Sequence, residues 1–162
     1  MRLSLFLADS VQADGQSGKV HTLGLGWRQC QTPTPPFSLL MFLDIDWDET
    51  NKRHKLLCQL LTTDGEPVAV SGPHGPQKIS FEASAEAGRP PGAIPGTAVR
   101  MPFTISIPGG IPLEPGIYEW RVEVEGFEQA TAVESLIVSG AAGPAGAAGP
   151  AGGGAPPPSS PA

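Results

Sequence analysis

The chain has 162 residues, a formal net charge of −6, 21 glycines and 19 prolines. Such a length fits one domain plus an extension, at about 100–200 residues per domain. Its ten basic residues form no run longer than Lys52-Arg53, which argues against nucleic-acid binding, and no apolar run approaches the ~18 residues of a membrane span.

The opening MRLSLFLADS has an apolar run at 3–8, shorter than a signal-peptide core and broken by Asp9. The sequence therefore predicts no secretion signal and a cytoplasmic chain. RLSLFLA reads as a strand apolar on both faces, as expected at the centre of a sheet. KVHTLGLGWRQ is strand-like with Gly24 and Gly26 on one face, which predicts a bulge or close sheet packing and places Trp27 on the core. Prolines at 33–36 mark a long connection to FSLLMFLDI, again apolar on both faces. DWDETNKRHK is the one stretch with room for a turn or two of helix.

Further on, the strand KLLCQLLTT is separated from EPVAV by Asp64-Gly65, a pair suited to a tight hairpin. In KISFEASAEA, Ile79, Phe81, Ala83 and Ala85 alternate with Ser80, Glu82, Ser84 and Glu86. Met101, Phe103, Ile105 and Ile107 repeat that period, as do Tyr118, Trp120, Val122 and Val124. A helix would scatter each set around its circumference, whereas a strand with one wet face keeps it sorted. Gly126 then separates YEWRVEVE from FEQATAVESLIV. Eight or nine mostly antiparallel strands at this spacing predict an all-β protein, a β-sandwich of Ig-like or jelly-roll-like kind. Tyr118 stands where sandwich folds often place a tyrosine that bonds back to an upstream loop.

Few motifs carry chemistry. Asp44, Asp46 and Asp48 have strand spacing, so their carboxylates are the metal candidates, with calcium as the ion. The calcium-loop template fails beyond them, because Glu49 stands where glycine must turn and Lys55 where the bidentate glutamate belongs. The competing reading is a solvated strand end whose carboxylates meet NKRHK. His21, His54 and His74 are isolated from one another and from cysteine at zinc spacing. Cys30 and Cys58, without a secretion signal, read as reduced core thiols. No nucleophile elbow is present, and neither LGLGW nor GGIPLEPG opens a helix as a phosphate cradle would. Trp27, Trp47 and Trp120 read as core anchors.

Three segments carry a family resemblance: LFLADSVQADGQSGKVHTLGLGW, IDWDETNKRHKLLCQLLTTDGEPV and PLEPGIYEWRVEVEG. Over about residues 3–138 the chain resembles an uncharacterised family, a domain of unknown function in small proteins of actinobacteria and their phages. That family often has proline before the tryptophan where this chain has Asp46, which makes the aspartate triplet look incidental. The resemblance supplies no catalytic residue.

Beyond a domain at 1–139 lies a Gly/Ala/Pro-rich tail at 140–162. Its glycines recur every third residue at Gly140, Gly143, Gly146, Gly149 and Gly152, so 140–151 fits G-X-Y. With few imino residues and no charged pairs, the composition favours a flexible arm over a collagen stem. These readings predict a non-catalytic interaction module with no cofactor, not an enzyme. Its first setting is a phage virion, as an accessory or capsid decoration protein exposed on the virion surface. The alternative is a cytoplasmic actinobacterial module that binds a peptide or small ligand through loops at one end of the sandwich. A hydrolase or metal-dependent enzyme ranks third, since no motif demands one. The expected partner is a protein, a capsid protein in the first reading, and a trimer follows if the tail forms a stem.

Overall fold

Period-two alternation becomes strand wherever the sequence shows it. The structure, a computed structural model, describes residues 1–15, 17–72 and 75–140. Beyond Gly140, the tail expected at 140–162, whether flexible or collagen-like over 140–151, lies outside the described residues, as does His74. Among those residues there are twelve strands rather than eight or nine: β1 (Arg2–Ala8), β2 (Ser10–Ala13), β3 (Val20–Leu23), β4 (Gln29–Gln31), β5 (Phe37–Ile45), β6 (Arg53–Thr62), β7 (Ala69–Gly72), β8 (Gly75–Lys78), β9 (Ser80–Glu86), β10 (Val99–Ile107), β11 (Gly116–Val124) and β12 (Phe127–Ser139). The uncounted strands are mainly short ones of three or four residues, too brief for alternation to stand out.

The strands form a three-stranded sheet, β1-β5-β10, and a five-stranded sheet, β4-β12-β11-β6-β9. Two hairpins, β2-β3 and β7-β8, stand apart from them. Every pairing between strands is antiparallel except that of β4 with β12. β5 is central and almost wholly buried, as its two apolar faces predict. β1, expected to be central as well, is an edge strand. It buries Leu3, Leu5 and Leu7 on one face and lies against β12, so packing covers its flank in place of a paired neighbour.

The glycines of LGLGW are not inside a strand. β3 ends at Leu23, and Gly24 and Gly26 turn the chain with positive φ. At Gly24 a Cβ would overlap the Asp9 carboxylate, so both the backbone angle and the space require glycine. Gly110 likewise has a positive φ and packs on the Thr34 carbonyl, where Ile111 N–H donates to Thr34 Oγ1 at 2.7 Å. DWDETNKRHK holds a single 3-10 turn, Trp47–Glu49. Among the described residues, no helix is long and apolar enough to cross a membrane.

Both sheets contribute to one core, in which Trp120 has no exposed surface. Rings meet across it in a line. Trp27 touches Phe37 edge-on at 5.6 Å, Phe37 touches Trp120 at 6.3 Å, and Phe81 stacks on Trp120 at 6.1 Å. This line ties β5 of one sheet to β11 and β9 of the other. Trp47 is no core anchor. It sits half-exposed on the 3-10 turn, under the Arg89 guanidinium at 4.3 Å. Tyr118 does bond back upstream, donating from its hydroxyl to the Glu114 carbonyl at 3.0 Å.

Trp120→Ala should lower stability by about 3–5 kcal/mol, the range for removing a buried aromatic. Glu123→Ala, exposed on the other face of β11, should stay within about 0.5 kcal/mol. Denaturant midpoints decide, and equal costs would contradict the placement of Trp120 at the centre of the core.

Candidate interaction surface

The aspartate triplet does not converge. Asp44 lies on β5 with Arg2 of β1 and Arg100 of β10 directly across from it, one on each side. Arg100 donates from Nε at 2.6 Å to one carboxylate oxygen and from Nη2 at 2.9 Å to the other, a bidentate pairing. Arg2 adds bonds at 3.2 and 2.8 Å. The Arg100 hydrogen bonds, with help from Arg2 and against the cost of burial, hold the Asp44 carboxyl down at about 2. Asp46 instead pairs with the N-terminal amine, and exposed Asp48 sits on the 3-10 turn. Asp44 therefore meets Arg2 and Arg100, not the NKRHK segment expected to face it; only Glu49, with Lys52 at 2.9 Å, makes such a pair. Among the described residues, no group of three acids, histidines or cysteines is placed to hold a metal ion.

The other titratable candidates are tied into structure. His54 is buried, its Nε2 lies 2.9 Å from the Glu49 carbonyl, and its ring packs edge-on against Phe127. His21 is exposed on β3. Cys30 and Cys58 are free thiols. Burial raises both, Cys58 to about 12, the reverse of the activation a nucleophilic thiol needs.

What the fold leaves unfinished is a flank. At about 4.8 Å per strand step, five strands span about 19 Å and three about 10 Å, so the smaller sheet cannot cover the larger. The sheets approach each other where β1 lies against β12. Beyond that corner, the β4 side is plugged by side chains. Trp27 packs on the core there, and Arg28 Nε donates at 2.5 Å to Glu134, which points inward from β12 and is buried.

On the opposite flank, β9 ends one sheet and β10 ends the other, and the two do not pair. Several core-facing side chains there stay half-buried: Ile79, just before β9, with Phe81 and Ala83 on it, and Met101, Phe103 and Ile105 on β10. Ala85 is buried, and Val68, whose carbonyl accepts from the Ile79 amide, packs on the core at the near end. The two edges are not equivalent. β10 carries Pro102 in mid-strand, which removes a backbone donor, and β2 lies against it. β9 runs for seven residues without proline and keeps unbroken register with β6. It presents the kind of free edge that proteins ordinarily blunt or cover.

Sequence reasoning found the alternation on β9 and β10 but not the gap between them. Pro102, inside an otherwise regular strand, is the signal that marks β10 as an edge. The Arg28–Glu134 pair was missed too, although Glu134 occupies an inward position of AVESLIV.

The chain belongs to a family of unknown function, DUF6941, whose model matches residues 3–134. That span runs from β1 into β12, so both sheets fall within it. A search of the curated proteins finds no match.

Asp44 gives a pH-dependent test. Its carboxyl ionises at about 2 when folded against an ordinary 3.8, so the stabilisation is complete above the ordinary value and is lost as pH falls towards 2. Asp44→Asn should be less stable than the parent near neutral pH, and that deficit should shrink as pH falls from about 4 to about 2. Denaturant titrations across that range are the measurement; a deficit independent of pH would contradict the account.

Proposed function

We propose that this member of the family is a non-catalytic interaction module that binds an extended segment of another protein along its open flank. The domain that does so comprises residues 1–139. We read its two unequal sheets as a β-sandwich of Ig-like kind, a reading supported by the bond from Tyr118 back to Glu114. The observation that carries the function is the half-exposed apolar row on β9 and β10 beside an unpaired, proline-free edge. Strand addition uses both features at once: main-chain hydrogen bonds extend the sheet, and alternate side chains fill the apolar gap. Setting follows from family resemblance, and a virion shell is the first place we put the module.

The test is site-specific photocrosslinking of the full chain in extracts of the organism that encodes it. A benzophenone side chain at Ser84, exposed on β9, should give one dominant protein adduct. The same group at Lys19, exposed before the β3 strand, should give none. Equal adducts at both positions, or none at Ser84, would contradict the reading.

A further inference from the structure

We infer that the segment β9 accepts is basic: an extended strand in which Lys or Arg alternates with apolar residues. This inference rests on the strand-addition reading above and specifies its partner. The outward face of β9 carries Ser80, Glu82, Ser84 and Glu86, all exposed, and no basic residue. A strand added beyond β9 places its own outward side chains directly beside these four. Its inward side chains fall next to Ile79, Phe81 and Ala83, which are half-buried against the core, as are Met101, Phe103 and Ile105 of β10.

The charge of this edge is offset only in part from behind, where Arg53 of β6 stands across from Glu86 and Lys55 across from Ser84, against Glu82, Glu86, Glu123 and Glu125. Next to Glu82 on β6 stands Leu57, and beyond Leu57 in the same row of the sheet stands Glu123 of β11. Neither glutamate has an ion-pair partner among the described residues. Lys55 is turned to Glu125 at 3.4 Å. Arg53 reaches Glu86 only at 3.7 Å, with both side chains well exposed, so that pair leaves Glu86 largely available. Glu82 and Glu86 lie four residues apart on one face, roughly 13 Å along the strand. They match basic residues spaced four apart on an incoming strand, with a small polar residue between them opposite Ser84. An acidic strand would set like charges directly opposite, which is unfavourable. β10 carries no acidic residue, and its Arg100 is already held by Asp44, so of these two edges only β9 is acidic.

Three labelled eight-residue peptides test this on the full chain. Each has valine at alternate positions. Between the valines the first has lysine, serine, lysine and serine; the second replaces lysine with glutamate, the third with threonine. Fluorescence anisotropy should show the lysine peptide binding at least about tenfold more tightly than the glutamate peptide, an advantage that falls with added salt. Amide shifts should concentrate on β9. The double variant Glu82→Lys with Glu86→Lys should reverse the preference, with its thermal melt confirming the fold. If that variant does not fold, Glu82→Gln serves, and it should narrow the preference. Equal binding of all three peptides at β9 would overturn the basic partner and leave strand addition standing. If none perturbs β9, strand addition falls as well. A dimer in light scattering that holds β9 and resists the lysine peptide would overturn the inference in favour of a second copy.

Discussion

The constraint on which the structure depends is that three strands must keep water from the inner face of five. Trp120 marks where this succeeds most completely, on β11, with no exposed surface and with rings from both sheets against it. Phe37 reaches it from the smaller sheet and Phe81 from the edge of the larger one, so the ring line extends from the centre of the core to its open side. Away from that centre the coverage thins. The β4 side is completed by Trp27 and by the buried Glu134 with Arg28 paired over it, whereas the β9 side is left with half-buried apolar side chains.

This asymmetry links fold to proposed function. A flank sealed on both sides would need no partner, and a flank open on both would invite self-association along every edge. Here one edge is blunted by Pro102 and by its contact with β2, while the other is regular and carries Glu82, without an ion-pair partner among the described residues, and Glu86, weakly paired with Arg53. The same glutamates discourage nonspecific pairing between identical edges, because two copies of β9 would meet with like charges. A partner of opposite charge removes that penalty. Asp44, by contrast, belongs to the frame: one carboxylate on the central strand, held by arginines on both neighbours, clamps the three-stranded sheet across its width.

Much of the fold was legible because strand period is a local property. The alternation through Ile79–Ala85 positions, Met101 to Ile107 and Tyr118 to Val124 survives intact in β9, β10 and β11. The bond from Tyr118 was legible too, since it spans only four residues. The central position assigned to β1 was wrong because an edge strand that packs against another sheet looks, residue by residue, like a paired one. Short β2 and β8 lack the length for a pattern, while β3 and β7 fall in or beside the strand-like runs KVHTLGLGWRQ and EPVAV. The candidate site was the least legible part, because an open flank is a relation between two sheets. No single strand encodes it. The aspartates failed as a cluster for a similar reason: β5 ends at Ile45, and the chain turns before strand spacing can align Asp46 and Asp48 with Asp44.

The central claim, that β9 is a free edge, is tested most directly by native-state hydrogen exchange on the unliganded full chain. Amides of β9 that point away from β6 should exchange at rates close to those of surface loops, while amides around Trp120 and Val122 should exchange only through global unfolding. Protection running evenly through β9, as strong as that of β11, would mean the edge is already covered and would contradict the account.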